Sequence, residues 1–300
     1  MSSILLLIAC LLAGLLSARL ANPPPMLAHC LNWWVLNVAL SALVLHLIPQ
    51  LEFEQGLWFL FVPLWLAFLG AWAFFALLGR LLRWPRERVG ALTLVCGLGN
   101  TSFIGFPLIE ALRGQEGLKL AIVADQVGGF VALAVGGGAV AALYSGARVT
   151  PGAIARKVLF FPPFLALIIG VLAGALGGWR PTIDDVFERV GATLVPIALF
   201  SVGLQLRLRF EHGHPRALTT GLLWKLALAP ALVYMGGVAA GVGGAVLDIA
   251  VLQSAMAPMI SATILAEQND LEPTLANTVL GLGVVLSFAT VPLVNYLLAA

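Results

Sequence analysis

Long apolar segments follow one another along the whole chain, separated by short polar connections or by proline and glycine. None of them alternates apolar and polar residues with the period of two that an outer-membrane barrel strand requires. Because lipid offers the backbone no hydrogen-bond partner, apolar segments of this length are predicted to be helices. The predicted spans, ten in all, lie at residues 4–20, 30–48, 57–79, 91–112, 118–144, 153–177, 187–206, 217–240, 245–266 and 274–298.

Composition supports an all-α integral membrane protein. Of the 300 residues, 61% are hydrophobic and only 10% are charged, whereas soluble domains carry about 25% charged residues. A net charge of +2 gives no reason to expect nucleic acid as a partner. The three cysteines have no metal-site or disulfide spacing. We therefore expect the lipid bilayer as the surrounding medium, and neither a metal ion nor a cofactor.

The distribution of lysine and arginine predicts the orientation of the spans. No basic residue precedes the apolar segment 4–20, so we interpret it as the first membrane helix rather than a cleaved signal peptide. Most of the lysine and arginine residues lie in the connections after odd-numbered spans. Since cytoplasmic loops retain basic residues, the sequence predicts a multi-pass protein of the cytoplasmic (inner) membrane with both termini outside.

An internal repeat becomes visible when Pro107 is aligned with Pro258, an offset of about half the chain. The same offset aligns Gln126 with Asn277. Each half contains five predicted spans, and because five is odd the two halves must have opposite orientations. This is the inverted-repeat plan of many secondary transporters. The predicted repeats are residues 1–150 and residues 151–300.

Two predicted spans carry polar residues beside a proline. In span 4, Pro107 removes a backbone donor and would clash with the carbonyl of Phe103, and span 9 has Pro258 in a similar setting. Interrupted helices at matching positions of two halves indicate a binding site near the bilayer midplane, although kinks used only for packing remain an alternative. The predicted substrate-binding residues are Asn100, Thr101, Ser102, Gln126, Gln253, Ser254 and Asn277. The predicted crossover residues are Gly99, Gly105, Pro107 and Pro258.

Asp125 and Lys225 are two charged residues of particular interest inside predicted spans. Asp125 is well inside span 5, where an ionised group is costly, so it should face the protein interior. It is a candidate for binding a coupling proton or cation, and a structural hydrogen-bonded carboxyl group is the alternative. Lys225 lies about two turns inside span 8, so we predict that its side chain reaches back to the membrane surface.

Several of these residues belong to a recognisable pattern. In the first half it consists of Gly99-Asn100-Thr101, Gly105, Pro107-Leu108, Ala121 and Asp125-Gln126, and in the second half of Pro196, Gly203, Pro258 and Ala262. The pattern resembles the auxin efflux carrier family of bacteria and plants, and the resemblance covers essentially the whole chain. The short connection at residues 145–156 is similar to the bacterial members. Residues 57–79 lack the aspartate and lysine pair of some plant carriers.

The resemblance implies a specific architecture, similar to that of bile-acid symporters. It implies a scaffold domain of helices 1, 2, 6 and 7 and a transport domain of helices 3–5 and 8–10. Helices 4 and 9 of the transport domain would be broken and would cross at their prolines. The transport domain would move like an elevator and carry an organic anion.

The predicted function is a secondary transporter, that is, a carrier or permease for a small organic anion such as a carboxylate. Its alternatives are an ion-coupled symporter of the bile-acid and sodium type, and a passive channel. A membrane enzyme with Asp125 as general base is a weaker alternative, because no second acid lies well inside a span and the spans offer no histidine pair or nucleophile motif. Gly170, Gly174 and Gly178 have the spacing of a close helix contact, which serves either a homodimer or packing within the chain.

Overall fold

The computed structural model describes residues 2–51, 56–146, 150–206 and 214–299. Within these ranges the protein is helical, and its only strand-like pairing is a bridge between Gly99 and Pro258. The helices are α1 (Ser2–Leu20), α2 (Leu27–Gln50), α3 (Leu57–Leu81), α4 (Arg86–Gly97), α5 (Thr101–Ser145), α6 (Pro151–Leu159), α7 (Pro162–Ala175), α8 (Pro181–Gln205), α9 (Pro215–Ala239), α10 (Gly244–Ser254), α11 (Ile260–Gln268) and α12 (Pro273–Ala299).

The prediction of an all-α membrane protein is confirmed at this level. Among the described residues, six helices are long and apolar enough to cross a membrane: α2, α3, α5, α8, α9 and α12. Shorter apolar helices lie at Leu5–Leu20, Pro162–Ala175 and Gly244–Ser254. Each of the predicted spans overlaps helical structure in the part of the chain that is described, and the spans at 91–112 and 245–266 also contain non-helical breaks.

Proline residues mark the beginning of several helices. A proline is the first residue of α6, α7, α8, α9 and α12. The first N–H groups of a helix have no partner within the helix, so a proline, which has no N–H group, costs no hydrogen bond there. The predicted start of span 7 at residue 187 is wrong, because α8 begins at Pro181. Its first turns carry charged residues such as Asp184 and Asp185, which an apolar criterion excludes.

Gly114 divides the long helix α5 into two arms. Its backbone has φ 67° and ψ −165°, and it interrupts the helical geometry there. A left-handed φ is readily adopted only by glycine, so this residue provides the turn between the arms. The turn lies in the gap between the predicted spans at 91–112 and 118–144, which the sequence had separated for lack of apolar residues.

The chain divides into two compact units, and the first is built around close helix contacts. It comprises Met1–Glu54, Ser102–Ile122 and Ala155–Leu206. A methyl group added at Gly14 of α1 or at Gly203 of α8 would overlap the backbone of the other helix. In the same way Gly170 of α7 faces Ile48, and Gly174 faces Pro49. Gly170 and Gly174 therefore serve packing within this unit, whereas a methyl group at Gly178, which follows α7, would meet nothing within 4 Å.

The second unit comprises Gln55–Thr101, Val123–Ile154 and Arg207–Ala300. Aromatic side chains of α3 form the centre of its core, with Phe68 and Phe75 completely buried. Phe68 packs closely against Gly97, at the end of α4. Trp224 of α9 stacks on Phe74 with ring centroids 4.9 Å apart. These contacts fix the end of α4 and the middle of α9 within the unit.

Candidate functional site

Two interrupted helices meet in the second unit. α4 ends at Gly97 and α10 ends at Ser254. In the bridge that follows, the Asn100 N–H donates to the Ala257 carbonyl (2.7 Å) and the Met259 N–H donates to the Leu98 carbonyl (3.1 Å). Backbone that leaves a helix at membrane depth must find such partners inside the protein. The bridge therefore stabilises two opposed helix breaks, after which the chain resumes helical structure at Thr101 and at Ile260.

The bridge is centred on Gly99 and Pro258, and not on the two aligned prolines. Pro107 instead lies near the start of α5, directly after a π-helical turn at Thr101–Gly105. Proline cannot donate the regular hydrogen bond to the carbonyl of Phe103, and the wide turn before it accommodates that loss. Gly99 and Pro258 thus lie at the bridge, whereas Gly105 and Pro107 lie after the break.

A buried carboxylate lies close to the bridge. Asp125 accepts one hydrogen bond from the Thr101 hydroxyl at Oδ1 and another from Gln126 Nε2 at Oδ2, the latter at 2.8 Å. All three side chains are buried. A methyl group on Gly129 would lie 3.0 Å from the Thr101 Oγ1, so the absence of a side chain there leaves room for this cluster. Gln126 was predicted to donate to a substrate, but its amide N–H group donates to Asp125.

Lys225 is the functional candidate that sequence reasoning missed. Its side chain is only 3% exposed, and Nζ donates to the Ser254 carbonyl at 2.9 Å. The prediction that it reaches the membrane surface is therefore wrong. Its neighbour Trp224 anchors the π-helical turn Trp224–Leu228 in the aromatic core, and the carbonyl end of α10 attracts a positive charge. The sequence did contain one indication of this role, namely a lysine surrounded by apolar residues in a long span.

A small pocket lies between Thr101, Lys225 and Ser254. Polar contributions to its wall come from Thr101, Lys225 and Ser254, and Gly99 and Gly129 leave it open. Leu64 and Ala67 of α3 belong to its apolar side. The pocket has a volume of about 10 Å³, room for about one water molecule, and it combines an ammonium group and a hydroxyl group with an apolar wall.

The other predicted binding residues divide into two groups. Asn100, Gln253 and Ser254 are buried at the bridge, and Ser102 follows Thr101 in a half-buried position. Asn277 does not join them, because its Nδ2 donates to Glu267 and to the Pro273 carbonyl at the start of α12. The half-chain offset misled the prediction here: the residue before Asn277 is an alanine, so the second half has no counterpart of Asp125.

Comparison with known proteins gives a consistent result. A family model described as membrane transport protein matches residues 1–295. An uncharacterized transporter of Methanothermobacter thermautotrophicus is 27% identical over 218 residues, which cover 70% of each chain. An uncharacterized transporter of Methanocaldococcus jannaschii is 27% identical over 265 residues, which cover 82% of this chain and 81% of the relative. Together with the apolar helices, these matches mean that the chain belongs to the membrane transport protein family of auxin efflux carriers and is a multi-pass membrane transporter.

Proposed function

We propose that this protein is a secondary transporter that carries a small organic anion, such as a carboxylate, across the cytoplasmic membrane. The observation that supports the proposal is the buried ammonium group of Lys225 beside two broken helices. Among the residues that the structure describes, its hydrogen-bond acceptor is a carbonyl and not a carboxylate. A positive charge at membrane depth is costly, and an anion bound beside Lys225 once the adjoining pocket has opened would compensate for it.

The helix ends near the bridge favour the same kind of substrate. The helical segments that begin at Thr101 and at Ile260 present N-terminal ends, which carry partial positive charge. Broken transporter helices bind anionic substrate groups with such ends. We assign Asn100, Thr101, Gln253 and Ser254 to the neighbourhood of the anion, because each is buried beside the bridge.

The proposed architecture has ten membrane helices in two inverted repeats, residues 1–150 and 151–300. The matched breaks after Gly97 and Ser254 support it, because each interrupts the fourth predicted span of its half. In this proposal the predicted spans 1, 2, 6 and 7 form a scaffold, and the predicted spans 3–5 and 8–10 move as an elevator. Asp125 binds the coupling proton, since it is a buried acid in contact with a wall residue of the pocket.

The first prediction tests anion binding at the bridge. In a thermal-shift screen of the purified transporter against mono- and dicarboxylates and indole acids, we expect at least one anion to raise the melting temperature. Asn100→Ala should lose that stabilisation because it removes a buried amide beside the bridge. Asn277→Ala is the matched control, since this amide contacts Glu267 instead, and it should respond like the parent.

Stabilisation of Asn100→Ala equal to that of the parent would contradict the site, and stabilisation by amines alone would contradict the substrate class. The active anion is then tested in proteoliposomes. A carrier accelerates uptake of labelled anion when unlabelled anion is present inside, whereas a passive channel does not. Absence of this counterflow would leave the channel as the better description.

The second prediction concerns the inverted orientation of the two halves. Reporter fusions at Ser145 should give cytoplasmic signals, and fusions at Gly114 and Gly178 should give external signals, because basic residues concentrate in the connections after odd-numbered spans. Activity of paired alkaline phosphatase and fluorescent protein reporters measures this directly. A cytoplasmic signal at Gly114 would contradict the proposed topology.

A further inference from the structure

We propose that the ammonium group of Lys225 occupies a site for a monovalent metal cation, so that the protein carries a tethered cation at the carbonyl end of α10. The native transporter would then need no sodium or potassium ion at this position. This inference concerns the coupling ion and goes beyond the proposed function. It does not depend on the identity of the transported anion.

Nζ contacts an oxygen of the class that binds small cations. It donates to the Ser254 carbonyl at 2.9 Å. A methyl group built on Gly99 would lie 2.9 Å from Nζ and 3.2 Å from the Gln253 carbonyl oxygen. The ammonium group, the last carbonyls of α10 and the extended backbone at Gly99 are therefore grouped around one point. A side chain at position 99 would compete with the ammonium group for this space.

The position is electrostatically suited to a cation independently of the lysine. The last carbonyl groups of a helix have no N–H partner within the helix, and this end carries partial negative charge. In transporters with discontinuous helices, such carbonyl ends and the unwound backbone coordinate the coupling cation. Oxygen atoms of this kind are also the ligands that hard metal cations prefer. Lys225 brings the same single charge and donates to the same class of oxygen.

The third prediction follows from removal of the tethered cation. Lys225→Ala leaves the carbonyl oxygen of Ser254 without its donor and opens space beside it. We expect the melting temperature of this variant, measured without any added organic anion, to be higher in sodium or potassium chloride than in choline chloride at equal ionic strength. The shift should saturate with salt concentration, as binding to the folded state requires. The native protein should melt at the same temperature in all three salts.

Two control variants separate a filled site from a general salt effect. Lys225→Met refills the space with an apolar side chain, and we expect no preference among the salts. Lys119→Ala removes another buried lysine, whose Nζ pairs with Glu116 at 2.7 Å, and it should also show no preference. A metal-dependent shift in either control would overturn the proposal.

Three outcomes of the main experiment would also overturn it. The first is an equal melting temperature of Lys225→Ala in sodium, potassium and choline chloride. The second is a selective stabilisation of the native protein by sodium or potassium, because its site should already be filled. The third is failure to obtain folded Lys225→Ala in any of the salts, since an alkali cation is expected to rescue it. No organic anion is used, so failure here is distinct from failure of the proposed substrate class.

Discussion

Replacing Gly283 with alanine is expected to separate α12 from the helix crossing and to abolish transport. An added methyl group at this position would overlap the Cδ and Cγ atoms of Pro258. The proline ring cannot rotate away, because the backbone of its neighbours Ala257 and Met259 is bonded to the opposite chain of the bridge. Overpacking of a well-filled contact costs about 1–3 kcal/mol. The loss is measured by thermal unfolding and by uptake into proteoliposomes.

Gly236→Ala is the matched control for this prediction. Gly236 also lies in a membrane helix, α9, but a methyl group there would meet nothing within 4 Å. Alanine favours helix over glycine by about 0.5–1 kcal/mol, so this variant should be as stable as the parent or slightly more stable and should transport normally. Normal stability and uptake of Gly283→Ala would show that α12 does not need to approach Pro258 closely.

The helices themselves could be predicted because lipid leaves little choice. An apolar segment must satisfy its backbone internally, so α3 and α12 lie close to the predicted spans at 57–79 and 274–298. Helix ends were less predictable where charged residues extend a helix beyond its apolar part. The first turns of α8 illustrate this. Asp184 lies there and not in a loop, and its Oδ1 is 2.8 Å from His46 Nδ1 within the first unit.

The site was predicted only in part, because its residues lie on π-helical turns. Thr101, Asp125 and Lys225 each belong to such a turn, at Thr101–Gly105, Ala124–Gly129 and Trp224–Leu228. A π turn contains one residue more than an α-helical turn. Residues that follow it therefore face a different direction from the one that regular helical periodicity predicts. The residue types therefore indicated buried polar chemistry, but not that Lys225 points inward. Thr101 and Asp125 lie on opposite sides of the turn at Gly114 in the chain, and they can meet because the chain reverses at that turn.

Asp125→Asn is expected to abolish accumulation driven by a pH gradient while exchange of the substrate continues. The amide has the shape of the carboxyl group and stays neutral, so it mimics the protonated form. Its oxygen can still accept from Gln126 Nε2, and the Thr101 hydroxyl can turn to accept from the new amide. The cost of the altered contacts should be about 1–3 kcal/mol or less. Net flux and exchange are compared in proteoliposomes across an imposed pH gradient, with the anion that stabilises the purified protein.

Asp184→Asn provides the control for a general effect of losing a carboxylate. Asp184 pairs with His46 in the first unit, and its variant should retain both exchange and the response to the gradient. If Asp125→Asn also retains the gradient response, the carboxyl group serves only to hold Thr101 and Gln126 in place. The proton would then be bound by another group, and Asp125 would have no part in the coupling. Loss of accumulation with retained exchange would instead identify Asp125 as the group that binds the proton, because a neutral carboxamide preserves the pocket and removes only the titration.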